Sequence, residues 1–530
     1  MKKIKHYVLN LVLPIFYYGA VTGILTAALV TLYKWCAVRV IDISLLGYSY
    51  IRERLYLLGA ILPALFGVAW LLWWIYKKRP NLRGGGIPTS IGIVRGLITF
   101  KWLRTLIGVF ALSMCSFLLG VPLGNEGPSV QMGTAMGGAT IAPMRKNQKA
   151  WGRYAMTGGA CAGFATATGA PISGILFAVE EAHERISPII LLIATVSVVF
   201  GRITSELLSP LLGVSTSLFS LESMPAMGLE GIWLPVVVGL AVGAFAVLFL
   251  NYHKFIRRFL RRTLAKIKGV YKIFAVLVLT VGLGLVSTSF ISTGHAFTEH
   301  LFDARKAWYL LIVIFLVRST LTLLANSSGI TGGIFLPTLA IGATLAALLA
   351  ELLIGGFGLA EEYYLIILVL GITACIAGMM KMPITAIVFA VEALSCYSNV
   401  LYVIVAVAVT FIITEIFSAP SINDSVLHSR LEEQNADKQN KVVEGFFTVQ
   451  AGTFAIGKQI RDVLWPANTF ILSVAKNNAA AEADGLGERV LHEGDVLHIR
   501  YLTYEENQTL EDVFSIVGRQ EITLKTVKKV

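Results

Sequence analysis

The feature that most constrains this chain is a series of long apolar segments almost without charge. Residues 8–33, 55–76, 232–250 and 400–418 each run for about the length a helix needs to cross a bilayer, roughly 17–25 residues. Hydrocarbon offers the backbone no hydrogen bonds, so such segments must be helical. Only 14% of residues are charged, against about 25% in a soluble globular protein. The expectation is an all-α polytopic membrane protein, carrying a small soluble domain at its C-terminus.

The first apolar segment is too long for a cleavable signal and is followed by no soluble domain. The basic start MKKIKH and the basic return YKKRPNLR (76–83) place both on the cytoplasmic side, and the C-terminus with them. The run 251–272 carries eight Lys or Arg. It reads as a connector beside lipid headgroups, and nucleic acid is not expected as a partner. Cys36, Cys115, Cys161, Cys375 and Cys396 show no CxxC spacing and read as packing residues. The eight histidines offer no ligand spacing within a span, so no metal or cofactor is expected. There is no phosphate-binding G-x-x-x-x-G-K-[ST] loop for an ATP motor. No nucleophile with a paired base lies within the spans, so the chain does not read as an enzyme.

The hydrophobic part ends near Ala419, and SINDSVLHSRLEEQNADKQNKVVEG (421–445) is polar. The domains are therefore a membrane region over 1–430, a linker over 431–445 and a soluble α+β tail over 446–530. FFTVQAG, TFILSVAK and DVLHIRYL alternate as strands do, and GKQIRDVL reads as a short helix between them.

The membrane region repeats itself. PISGILFAVE (171–180) matches PITAIVFAVE (383–392), and GNEGPSVQMG (124–133) loosely matches GGIFLPTLAIG (332–342). The two pairs have nearly one offset: 212 residues from Pro171 to Pro383, 209 from Pro128 to Pro337. Two related halves follow, about 8–205 and 230–420. Duplicated halves with Gly/Pro-interrupted segments are a transporter signature, with ligands bound where broken helices end.

Three interrupted motifs stand out: GGGIPTS (84–90), GNEGPSV (124–130) and GGIFLP (332–337). Each places glycines before a proline, which suits the first turn of a helix. A bare helix start presents free N–H groups and a partial positive charge, and so can hold an anion. Glu126 sits in the second motif, and an acid at membrane depth is functional by default. Its carboxylate can occupy the anion site, and protonation would release that site to an external anion. Glu180 and Glu181 end the PISGILFAVEE segment. Glu392 repeats Glu180, whereas Ala393 stands where Glu181 would repeat, which singles out Glu181.

These motifs, in this order, resemble the CLC family of chloride channels and proton-coupled chloride transporters over about residues 8–430. The family's GSGIP, GREGP and GGIFxP stand here as GGGIP, GNEGP and GGIFLP. The resemblance implies a homodimer with one anion pathway per subunit, each subunit being two inverted repeats. It makes Glu126 the gating glutamate and Glu181 the internal proton-transfer glutamate. It makes the N–H groups of Ile334 and Phe335 the central anion ligands, with Gly85, Gly86, Ile87 and Gly127 lining the same site. The tail resembles the TrkA C-terminal regulatory module of potassium-transport systems, which leaves room for an unidentified small-molecule ligand.

Three positions depart from the family pattern. Gly85 replaces a serine whose hydroxyl contacts the anion. Asn423 stands where a tyrosine closes the inner side of the site, and its amide could serve the anion instead. Asn125 replaces the arginine beside the gate and resembles the fluoride-exporting branch, whereas GGIFLP resembles the chloride branch. Because both acids are present, the sequence reads as a proton-coupled chloride antiporter of the cell membrane. A fluoride/proton antiporter and a passive chloride channel are the alternatives.

Overall fold

The structure, a computed structural model, describes residues 8–143, 150–219, 221, 224–262, 266–476, 484–522 and 524–529. The start MKKIKH lies outside the described residues. Among the described residues, sixteen α-helices before Ala419 fall into two sets of eight. The first set is α1 (Leu13–Glu53), α2 (Leu58–Lys78), α3 (Gly86–Val94), α4 (Trp102–Leu118), α5 (Glu126–Ile141), α6 (Trp151–Thr168), α7 (Pro171–Phe177) and α8 (Pro188–Leu212). The second is α9 (Trp233–Arg262), α10 (Gly269–Val286), α11 (His295–Asp303), α12 (Trp308–Ser328), α13 (Phe335–Glu351), α14 (Tyr363–Met380), α15 (Pro383–Ala393) and α16 (Val400–Ile416). From α2 onward, matching helices start 206–212 residues apart. The repeat thus extends through elements whose sequences look unrelated. Eight helices among the described residues are long and apolar enough to cross a membrane. The protein is a multi-pass membrane protein.

Two sets of contacts show that the halves are inverted. Gly124 and Gly333, 209 residues apart, exchange both backbone hydrogen bonds as an antiparallel pair, each N–H to the other's carbonyl at 2.7 Å. The Glu180 carboxylate accepts from the Ile384 and Thr385 N–H groups at the start of α15. Its repeat counterpart Glu392 accepts from the Ile172 and Ser173 N–H groups at the start of α7. Each helix end is thereby capped by the other's glutamate, which requires α7 and α15 to run antiparallel. A carboxylate at a helix start satisfies its free N–H groups and opposes its dipole. This gives Glu180 and Glu392 a shared structural role.

Backbone punctuation also repeats. Gly169 ends α6 in the left-handed region at φ 71°, where glycine is the natural residue. Its counterpart 212 residues on is Lys381, left-handed at φ 61°. Lys381 is tied down by its own side chain, which donates to Thr414 Oγ1 at 2.9 Å and Glu415 Oε1 at 2.7 Å.

The polar run 421–445, whose part 431–445 is the expected linker, is mostly structured. Helix α17 spans Ile422–Gln434, started by Ser421 Oγ accepting from the Asp424 N–H at 3.0 Å. Strand β1 (Lys441–Thr448) already begins within the expected linker. Polarity alone did not distinguish a solvated helix from a connector. The tail continues with β2 (Thr469–Lys476), β3 (Asp495–Thr503), α18 (Glu506–Val517) and β4 (Lys525–Lys529). Its antiparallel sheet has the order β2-β3-β1-β4. GKQIRDVL forms only a 3-10 turn at Ile460–Asp462; its first residues bond to Arg489 and Leu491 within the tail, and its last ones dock on the membrane region.

The dock joins the tail to the membrane region beside α6. The Tyr154 hydroxyl donates to Asp462 O at 2.8 Å and accepts from the Leu464 N–H at 2.9 Å. Phe454 packs edge-on against Trp151, with 5.0 Å between ring centroids. Arg153 pairs with Asp512 at 2.7 Å, and Arg185 donates to Val463 O at 3.1 Å. The Ala467 N–H donates to Arg95 O at 3.2 Å.

Candidate functional site

The starts of α3, α5 and α13 meet in the protein interior. They approach so closely that only glycine fits. A Cβ on Gly86 would lie 2.0 Å from Gly127 O, and one on Gly127 would lie 2.8 Å from Gly333 Cα. The symmetry extends to the turn before each helix. Asn125 before α5 has φ −91° and ψ −14°; Ile334 before α13 has φ −99° and ψ −7°. Ser129 Oγ donates to Asn125 O, and Thr338 Oγ1 to Ile334 O, both at 2.8 Å.

These starts leave N–H groups uncommitted. Those of Gly86, Ile87, Glu126, Gly127, Ile334 and Phe335 donate to no backbone carbonyl among the described residues. Bare helix N–H groups converging away from water are suited to an anion. Phe335 is fixed in the core by edge contacts to Phe164 at 5.1 Å and Phe389 at 5.6 Å. The first turn of α13 is therefore rigidly aimed. Gly85, extended before α3, differs from its neighbour: a Cβ there would meet nothing closer than Gly332 O at 3.6 Å. Its glycine is not a packing requirement.

Glu126, the first residue of α5, is fully buried. Its carboxylate folds back beside Gly124, Leu336 and Pro337 at the start of α13. Neither oxygen has a hydrogen-bond partner among the described residues, and the N–H groups of Glu126 itself and Leu336 face the carboxylate. The acid therefore lies where the helix ends converge. Asn125 beside it is half-buried and does not cap α5 with its side chain.

Glu181 lies in a wide π-type turn, Ala178–Ala182, that follows α7. Single π-turns recur at functional positions. The turn sends Glu180 to cap α15 and buries Glu181 on the other side. Asn423 Nδ2, in the first turn of α17, donates to Glu181 Oε1 at 2.9 Å. The sequence reading gave this amide to the anion; the structure gives one of its N–H groups to the acid. Arg95, just past α3, holds the turn itself. Its Nη2 donates to Glu181 O and its Nε to Ala182 O, both at 2.8 Å.

Sequence reasoning missed Arg95 and Lys34. Lys34 lies buried inside α1 and donates to Thr166 O at 3.3 Å and Ser215 O at 3.2 Å. With His295 it is a basic group whose field reaches Glu126. A lysine inside an apolar helix was itself the available signal. No cluster of His, Cys, Asp and Glu suited to a metal occurs among the described residues.

The fold and this site define a class: an inverted-repeat membrane protein with broken helices whose N-termini meet around a buried carboxylate. More particularly, the chain belongs to the voltage gated chloride channel family, whose model matches residues 67–415. The chain is similar to the H(+)/Cl(-) exchange transporter ClcA of Salmonella typhimurium, 26% identical over 445 residues, covering 81% of this chain and 91% of that relative. It is likewise similar to ClcA of Vibrio parahaemolyticus, 26% identical over 387 residues, covering 69% and 78%. Among solved structures it resembles a slow cyanobacterial Cl-/H+ antiporter, with TM-score 0.70, 24% identity and coverage of 80% and 99%. It also resembles a CLC-type fluoride/proton antiporter, with TM-score 0.61, 20% identity and coverage of 76% and 95%.

Proposed function

We propose that the chain is a proton-coupled chloride antiporter of the cell membrane, a transporter and not an enzyme. The observation that carries this reading is the Glu126 carboxylate lying against the start of α13, among uncommitted N–H groups. A carboxylate there imitates the anion and competes with it. Protonation neutralises the side chain, so that it no longer competes for the uncommitted N–H groups of Gly86, Ile87, Gly127, Ile334 and Phe335, and loads one proton. Bare backbone donors bind an anion without a full cationic partner, so it can also leave. Glu181 is the second proton stop, towards the tail. Relatives named as H(+)/Cl(-) exchange transporters support the same anion and the same coupling.

The tail supports a regulatory reading, since it docks on residues that flank the Glu181 turn. Positive-inside placement of the basic connectors puts both termini in the cytoplasm. A homodimer is supported by exposed isoleucines at equivalent positions, Ile172 and Ile384, beside the paired ends of α7 and α15.

The test is one flux measurement on the purified chain in liposomes, with anion and pH recorded together for chloride, fluoride and nitrate. A chloride gradient is expected to drive proton movement. Asn125 and the missing hydroxyl at Gly85 motivate a second reading, fluoride/proton exchange. Fluoride efflux far faster than chloride efflux would select it. Chloride flux without proton movement would make the protein a passive channel.

A further inference from the structure

We propose that Asn423 is a positioning residue for Glu181, holding its carboxylate at the tail-side end of the anion path in both protonation states. The proposal rests on the reading of Glu181 as the second proton stop. Asn423 is 1% exposed and Glu181 4%, so their hydrogen bond is shielded from water. An amide suits an acid that changes charge. Its N–H donates to an ionised carboxylate, and when the acid is protonated its carbonyl can accept from the carboxyl O–H. A hydroxyl or an ammonium lacks that paired geometry.

Asn423 is also held in place independently of the acid. Helix α17 is anchored by Arg257, which donates to Ser425 O at 2.8 Å, and by Arg430, which bonds to Thr89 Oγ1 and to Arg83 O. Thr89 lies on α3, one of the three helices whose starts converge on the anion site. Glu181 is thus gripped twice. Its main chain is held by Arg95 from the end of α3, and its carboxylate by Asn423 from the start of α17. Both grips belong to elements joined to the anion path. A shift of that path is transmitted to the proton carrier by hydrogen bonds already present. The charged groups facing Glu181 are Arg95 after α3, Asp424 on α17 and Glu184 on its own loop.

The experiment measures the proton-to-chloride ratio of the full chain in liposomes. In Asn423→Leu this ratio should fall roughly tenfold, as expected for loss of a hydrogen bond to a charged group. Asn423→Asp keeps the shape and serves if the leucine variant does not fold. It should retain coupling in mild acid, where the added carboxyl is protonated and can donate. It should lose coupling in mild alkali, where two carboxylates face each other. A merely structural role would not produce that pH profile. A wild-type ratio at every pH in these variants, alongside lost coupling in Glu181→Gln, would overturn the proposal alone. Intact coupling in Glu181→Gln would overturn the reading of Glu181 and the proposal with it.

Discussion

Glu126 and Glu181 are both buried acids in one membrane region, yet their surroundings are built from opposite materials. Around Glu126 the groups are backbone: the N–H groups of Glu126 and Leu336, with three glycine-led helix starts pressed together. Around Glu181 they are side chains: Asn423 on the carboxylate, and Arg95 on the turn that carries it. A backbone site cannot be retuned by changing one donor, only by blocking it. A side-chain site is adjustable at each residue.

The comparison is broken most directly at the acids themselves. Glu126→Gln and Glu181→Gln should each reduce chloride-driven proton movement to the background of empty liposomes, because neither amide can carry a proton across. Simultaneous pH and chloride recording checks this. Proton movement surviving in one of the two variants would mean that the two acids are not in series.

The next effect tests the backbone side. Gly86→Ala places a methyl group 2.0 Å from Gly127 O, where nothing flexible can yield. Overpacking typically costs about 1–3 kcal/mol, and here it also separates two anion-binding helix starts. Loss of transport in both chloride and proton assays is expected, with a lowered melting temperature in detergent. A folded Gly86→Ala protein with normal transport would show that the helix starts need not touch.

Much of this arrangement was legible in the chain and some was not. The three helix starts were readable because Gly and Pro act locally: they set backbone dihedral angles and remove donors whatever surrounds them. The structural role of Glu180 was half readable, since its repeat at Glu392 implied a shared task, but the partner helix start is 204 residues away. Arg95 carried no signal of its own. An arginine after a short apolar helix looks like any interfacial charge until the fold brings the Glu181 turn against it. Asn423 was placed beside the anion because position along the chain names a neighbourhood, whereas its bond to Glu181 is visible only in the packing of α17. The expected linker, 431–445, is shorter in the structure for a different reason. Helix α17 is polar because much of it is half-buried or exposed, and composition reads that as linker.

A smaller effect probes how the side-chain end is tied to the tail. Tyr154→Phe removes a donor to Asp462 O and an acceptor for the Leu464 N–H. Leaving such groups unpaired costs about 1–3 kcal/mol. The tail should undock more often, and protease should cut faster within the short connector 435–440. If the dock steadies the Glu181 turn through Arg95, the proton-to-chloride ratio should drop while the Glu126 end is untouched. Faster cleavage with an unchanged ratio would separate tail docking from coupling.

The smallest expected effect lies at Gly85, the one glycine of the site with room beside it. A Cβ there meets Gly332 O at 3.6 Å and Pro88 Cδ at 3.7 Å, ordinary contacts that a serine can make. Gly85→Ser should therefore fold and add one hydroxyl donor near the start of α3. A hydrogen bond contributes about 0.5–1.5 kcal/mol, which is up to roughly tenfold in anion affinity. Isothermal titration with chloride in detergent reads this directly. Tighter chloride binding would mean that a side-chain donor can be added to a site otherwise made of backbone. Unchanged affinity would mean that the converging N–H groups already hold the anion as tightly as the geometry allows. The difference between the two acids would then extend to the anion path as a whole, with backbone fixing what is bound and side chains fixing how it is coupled.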